Sequence, residues 1–275
     1  MTQRRVALLG GGNMGEALIG GLIRSGGRTP DEIMVTCRRD ERARELGGKY
    51  GISATLDNAE AARWAHTLVL MAKPQDMEAL LAQIRPHVDP EDLVISFAAG
   101  IRTSYVEKHL PEEIPVVRVM SNVPVMVDEA MSVVTGGRFA TDEHLGRTEE
   151  LLGYVGKVLR LNETHLDAVT ATSGSGPAYF FLLAEAMIEA CILLGLSRDV
   201  ATELIIQTML GSAKMLRDTG KHPVELREMV TSPGGTTIEA IRHLEEAGVR
   251  AAFLNAIDAA RKRSEELAQG GDEDD

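Results

Sequence analysis

Gly10, Gly12 and Gly15 stand at the spacing of a phosphate-gripping turn. The run Val6-Ala7-Leu8-Leu9 reads as a strand and leads straight into Gly10-Gly11-Gly12-Asn13-Met14-Gly15, where a helical pattern opens. In that strand-to-helix setting each glycine has a reason. Gly10 permits a tight turn, Gly12 lets a pyrophosphate approach the backbone, and Gly15 lets helix and strand pack closely. The helix N-terminus adds unpaired N–H groups and a partial positive charge. The chemistry implied is dinucleotide binding.

The next strand sets the kind of dinucleotide. A carboxylate near its end would hold a ribose 2′-hydroxyl. Here the strand ends Thr36-Cys37-Arg38-Arg39, with no acid before Asp40. Arginine there suits a 2′-phosphate, so NADP(H) is expected, with NAD(H) as the alternative. Two later segments also have chemical character. Ser173-Gly174-Ser175-Gly176-Pro177-Ala178-Tyr179 reads as a helix start, capped by Ser175 or Gly176 before Pro177. Thr231-Ser232-Pro233-Gly234-Gly235-Thr236-Thr237 is a Pro-Gly turn feeding a helix, with hydroxyls and free N–H groups suited to a small carboxylate. Each also reads as a plain helix–helix connection.

The elements that position these residues fall into two halves. Strand candidates are Val6–Leu9, Ile33–Cys37, Thr67–Met71, Leu93–Phe97, Val116–Met120, Met131–Thr135 and Val158–Leu161, with helical stretches between the earlier ones. Runs such as Leu68-Val69-Leu70-Met71 are apolar on both faces, as in a parallel sheet covered on both sides. The expected fold is an α/β Rossmann-type N-terminal domain over residues 1–162. An all-α domain follows over 163–269, and the acidic end, 270–275, reads as a solvated tail. The stretch Pro177–Leu194 is apolar nearly all round. It is either a subunit interface or the centre of a small bundle.

Composition bounds the partners. Lys plus Arg is 29 against 41 Asp plus Glu, a formal charge of −12, which disfavours nucleic acid and anionic membranes. Two cysteines, Cys37 and Cys191, fall in no metal or disulfide pattern. The seven histidines share no metal spacing, so no metal is expected. With no signal-peptide pattern and no long apolar span read in the chain, the cytoplasm is the expected location.

Taken in order, Gly10-x-Gly12-x-x-Gly15, Ala72-Lys73-Pro74, Ala98-Ala99-Gly100-Ile101, Ser173–Tyr179 and Thr231–Thr237 resemble the pyrroline-5-carboxylate reductase family, from about Arg4 to Leu267. The resemblance implies a helical dimerisation domain, and a homodimer or a decamer built of five dimers. It implies reduction of 1-pyrroline-5-carboxylate to L-proline by NAD(P)H. It puts the phosphates on Gly12, Asn13, Met14 and Gly15, and the adenosine ribose near Thr36, Arg38 and Asn58. Met71, Ala72, Lys73 and Pro74 with Ala98, Ala99 and Gly100 would line the ribose and nicotinamide, beside Asn122. Ser232, Gly235, Thr236 and Thr237 would hold the substrate, with the dimer partner completing the pocket and Glu163 as a further contact. Thr237 is the expected catalytic residue, bonding the ring nitrogen. Two departures are visible: Ser121 where the family often has Pro, and Ala72 where Val is usual. Two other readings stay open. One is a β-hydroxyacid dehydrogenase, for which Lys214 would be the helix lysine. The other is a non-enzymatic NADP(H) sensor.

Overall fold

The computed structural model describes residues 4–269. The expected tail, 270–275, lies outside the described residues. Within the N-terminal unit the elements run β1 Val6–Leu9, α1 Asn13–Arg24, β2 Ile33–Thr36, α2 Asp40–Tyr50, β3 Ser53–Thr55, α3 Asn58–Trp64, β4 Thr67–Leu70, α4 Met77–Ile84, β5 Leu93–Ser96, α5 Thr103–His109, β6 Val116–Met120, β7 Ala130–Gly136, α6 Asp142–Gly153, β8 Gly156–Arg160 and α7 Leu166–Val169. They form one eight-stranded sheet in the order β3-β2-β1-β4-β5-β6-β7-β8.

Period-two alternation explains the layers. Val6, Leu8, Ile33, Val35, Val69 and Ile95 point into one core. Their neighbours Ala7, Leu9, Met34, Leu68, Leu70 and Val94 point into a second core on the other face. A strand buried on both sides needs apolar residues at every position, which is why these runs do not alternate with polar residues. The order reverses at β1, which pairs with β2 on one side and β4 on the other. That switch point opens a crevice at the strands' C-terminal ends, where ligands of such sheets bind.

Three features depart from the sequence reading. β3 is short and polar at the sheet edge, so no apolar run announced it. β7 runs antiparallel to β6, because the short 3₁₀ connection Val123–Val127 is not a crossover helix. The third is the Ser173–Tyr179 segment, which is no capped start. The chain stays helical through a π-type turn, Thr170–Gly174, into α8 Gly176–Leu193. The cap expected at Ser175 or Gly176 is therefore replaced by a widened turn. Pro177 has no N–H to give the Ser173 carbonyl four residues back. That carbonyl accepts instead from Asn122 Nδ2 at 3.0 Å.

Two compact units result. Among the described residues, one comprises 4–175 together with 260–269, and the other comprises Gly176–Ala259. The expected division at 162/163 thus moves to the far side of the π-type turn. Asn122 and the buried side chains of Leu166 and Val169, packed with Val133, tie that stretch to the sheet. The second unit contains α8, α9 Arg198–Thr219, α10 Pro223–Met229, α11 Thr236–Glu246 and most of α12 Val249–Gln269. Ser197 caps α9 by accepting from the Val200 N–H.

Among the described residues, α8 is not the buried centre of a bundle. Phe180, Phe181 and Leu182 are 62%, 66% and 66% exposed. The run Glu163–Leu193, 31 residues, is long and apolar enough to cross a membrane by length and composition, contrary to the expectation that no such span exists. A helix made for a subunit interface meets the same test, since both need apolar surface left uncovered by their own chain.

Candidate active site

A cleft of about 1130 Å³ opens at the switch point, walled by the ends of β1, β2 and β4. Gly10, Gly12, Asn13, Thr36, Arg38, Asn58, Met71, Ala72 and Lys73 line it. Gly10 has φ +130°, and a Cβ there would stand 3.0 Å from the Met71 carbonyl oxygen. Side chains rarely adopt that backbone conformation. At Gly15 a Cβ would strike the Gly10 carbonyl oxygen, so α1 lies against the turn only because no side chain intervenes.

Gly12 is different. Its backbone is ordinary, φ −77° and ψ −171°, and no atom lies within 4 Å of where its Cβ would be. Nothing among the described residues requires glycine there. A ligand lying against the backbone would. Gly12 also caps α1 without any side-chain bond, so the first N–H groups of the helix have no intrahelical partner. An open cradle, free N–H groups and the cationic Arg38, Arg39 and Lys73 fit a dinucleotide pyrophosphate.

The remaining expected cofactor residues divide by their surroundings. Thr36 is buried at the end of β2. Asn58 donates from Nδ2 to Gln83 Oε1 at 2.7 Å at the cleft wall. Pro74 begins the 3₁₀ turn Pro74–Asp76 behind Lys73. The Met14 side chain packs on the sheet core. Ala98, Ala99 and Gly100 follow β5 and are outside the lining of this cleft. Gly100, with φ +75°, meets the end of α12, where a Cβ would stand 3.3 Å from the Leu267 carbonyl oxygen. Its small size therefore has a packing reason within the chain. Asn122 is buried, and besides bonding Ser173 it accepts from the Met131 N–H at 2.9 Å. That amide joins the end of β6 to β7 and to the π-type turn.

Glu163 also has partners. One oxygen accepts from the Thr103 N–H at 2.9 Å and from Arg118 Nη1 at 3.1 Å, and the other from Thr103 Oγ1 at 3.0 Å. It acts as the acceptor at the N-terminus of α5, whose N-cap Arg102 makes no side-chain bond.

Residues missed by the sequence reading hold the glycine turn. Arg42 Nε donates to the Gly11 carbonyl at 2.9 Å, and the same guanidinium pairs with Glu16 and with Glu45. Glu16 further accepts from Lys49 Nζ at 2.7 Å and Tyr50 at 3.2 Å. The Lys49 bond first, then Arg42, holds the Glu16 carboxyl down at about 2 from an ordinary 4.5. A folded value below the unfolded one stabilises the fold at neutral pH, and this contribution is lost as pH falls from about 4.5 toward 2. Glu16→Gln should therefore flatten the acid side of a plot of melting temperature against pH. Parallel acid limbs in variant and parent would refute that coupling. Cys37 fills the space beside Gly11, and burial pushes its thiol up, so it packs rather than reacts.

The second cluster is built within the helical unit. After α10, Thr231 Oγ1 donates to the Arg227 carbonyl at 2.6 Å, and the Gly235 N–H closes a turn on the Ser232 carbonyl at 3.1 Å. Gly234 turns the chain with φ +68°. A Cβ at Gly235 would run into Ser232 Oγ, so glycine lets that hydroxyl lie over the helix entry. Gly235 caps α11 with no side-chain bond, leaving the N–H groups of Thr236, Thr237 and Ile238 without intrahelical partners. Three N–H groups with the hydroxyls of Ser232, Thr236 and Thr237 make a seat for one carboxylate and one further polar atom. Among the described residues, no group of three His, Cys, Asp or Glu side chains could hold a metal ion.

Comparison with known proteins bears on both units. Residues 163–267 match the family model described as pyrroline-5-carboxylate reductase dimerisation. Residues 5–100 match one described as NADP oxidoreductase, coenzyme F420-dependent. The chain is 46% identical to a pyrroline-5-carboxylate reductase of Corynebacterium melassecola, covering 96% of this chain and 98% of that protein. It is similar to the structure of a pyrroline-5-carboxylate reductase from Coxiella burnetii, with a TM-score of 0.90 at 35% identity, covering 98% and 99% of the two chains. The structure of Plasmodium falciparum pyrroline carboxylate reductase with NADP bound aligns with a TM-score of 0.87 at 26% identity, over 98% and 99%.

Proposed function

The chain belongs to the pyrroline-5-carboxylate reductase family, and from that premise we infer that it reduces 1-pyrroline-5-carboxylate to L-proline with NADPH, the last step of proline synthesis. The observation that carries the reading is that the chain holds both an open cradle at Gly12 in one unit and an uncapped, hydroxyl-lined turn at Gly235 in the other. The first suits a pyrophosphate and the second a carboxylate.

The nicotinamide supplies a hydride to C5 of the imine. The electrons of the C=N bond then go to the ring nitrogen, which enters as the protonated iminium and leaves as an amine. This chain's groups bind and orient. The N–H groups following Gly235 hold the carboxylate, with Ser232 and Thr236 beside it. The iminium N–H donates to the Thr237 hydroxyl, which favours the protonated and electrophilic form. No side-chain acid is required, because the proton is already on the nitrogen. Arg38 takes the 2′-phosphate, Thr36 and Asn58 stand by the adenosine, and Met71, Ala72, Lys73 and Pro74 follow the ribose. Ala98, Ala99 and Gly100 are assigned to the nicotinamide end. Asn122 is assigned beside the cofactor and Glu163 to the substrate, each held by the bonds described above.

The matched dimerisation model makes the chain an oligomer-forming protein, and the exposed Phe180, Phe181 and Leu182 supply the apolar surface. A homodimer, assembled further into a decamer, is the proposed state, and the cytoplasm the proposed compartment.

Purified protein should oxidise NADPH in the presence of 1-pyrroline-5-carboxylate and yield L-proline, with a slower rate for NADH. Absence of turnover with either cofactor, in protein shown to bind NADPH, would remove the substrate assignment.

A further inference from the structure

Arg38 and Asp76 close over the cleft from opposite walls. Arg38 follows β2 and Asp76 follows β4, the two strands that flank β1. Their side chains meet with Nη2 to Oδ2 at 3.2 Å and Nη1 to Oδ1 at 3.5 Å. Both residues line the cleft. Asp76 is the residue before α4, a place where a carboxylate ordinarily caps the helix. Its backbone is helical there, φ −102° and ψ −3°, and its side chain makes no cap bond. The carboxylate is directed to Arg38 instead.

We propose that Asp76 is a positioning residue for cofactor choice. It holds Arg38 across the cleft mouth and competes with the 2′-phosphate of NADPH for that guanidinium, so it tunes the preference for NADPH over NADH. The inference rests on the dinucleotide reading of the cleft. The Arg38 side chain is 77% exposed and that of Asp76 35%, so the pair is weak and solvent-screened. A phosphate dianion accepts more charge-assisted bonds from a guanidinium than one carboxylate does. It therefore displaces Asp76 but then faces a freed negative charge. NADH has no group to claim Arg38, so Asp76 opposes its binding little.

The test uses the full chain and calorimetric titration with NADPH and with NADH, a readout independent of turnover. Asp76→Asn should tighten NADPH about three- to tenfold while NADH stays within about twofold, and the gain should shrink at high salt. Asp76→Glu, which keeps the charge, should restore the parent's ratio. In an Arg38→Ala background the Asp76→Asn gain for NADPH should fall below about twofold, since the guanidinium carries the effect. No change, an equal change for both cofactors, or a full gain without Arg38 would each overturn the role of Asp76. A parent protein that binds neither dinucleotide would instead overturn the reading of the cleft.

Discussion

Glu163→Ala should lower stability by about 2–3 kcal/mol, because it leaves the buried Arg118 guanidinium without its counter-charge. Arg118 lies on β6 with its side chain only 8% exposed, while that of Glu163 is 27% exposed. Removing one partner of a fully buried pair costs about 3–5 kcal/mol, and water reaching the Glu163 side reduces that figure. The variant also strips Thr103, at the start of α5, of its acceptor, a loss of about 1 kcal/mol in itself. With that loss included, the total of about 2–3 kcal/mol corresponds to a fall of roughly 4–12 °C in melting temperature for a unit of this size. Glu163→Gln keeps an acceptor for Thr103 and should lose less. Combining Glu163→Ala with Arg118→Met should recover much of the stability, since an apolar side chain has no charge to leave unpaired. The same variant decides between two roles. An unchanged melting temperature with a raised KM for the imine would make Glu163 a substrate contact rather than a clamp.

The contrast between Glu163 and Gly12 shows what could be seen in the chain before its structure. The glycine turn is legible because its chemistry is local: three glycines, a strand before and a helix after, all within one stretch. The double layering was legible too, because strands buried on both faces write unbroken apolar runs. The clamps were not. Arg118 meets Glu163 across 45 residues, Asn122 meets Ser173 across 51, and Arg42 meets Gly11 across 31. Periodicity within a segment is silent on such pairings. Asn122 and Glu163, which the family resemblance implied as site residues, make hydrogen bonds that tie strands and turns together. Pro177 held the one available clue. A proline inside a helical pattern orphans a carbonyl four residues earlier, and a side-chain donor had to be found for it. Arg38 was expected at the cofactor from its place at the end of a strand and does line the cleft, yet Asp76, with which it pairs, lies in a turn that no pattern marks.

Thr237→Ala should lower kcat/KM for 1-pyrroline-5-carboxylate about a hundredfold, the usual scale for losing one hydrogen bond aimed at a reacting centre. That factor corresponds to about 2.7 kcal/mol of transition-state stabilisation. The fold has little reason to suffer. Thr237 stands in the first turn of α11, and alanine is the better helix former there. Among the described residues no hydrogen bond from its hydroxyl holds the turn, which is closed by the Gly235 N–H and by Thr231. NADPH affinity should be unchanged as well, because the glycine turn and Arg38 belong to the other compact unit. Thr237→Ser, which keeps the oxygen, should return most of the activity. The loss should fall mainly on kcat, since the carboxylate is held by backbone N–H groups that the substitution leaves in place. A drop confined to KM would mean that Thr237 grips the ground state and does nothing for the iminium. Near-normal turnover would remove it from the reaction and leave the iminium N–H to solvent or to another hydroxyl of the same turn, with Ser232 and Thr236 the next to test.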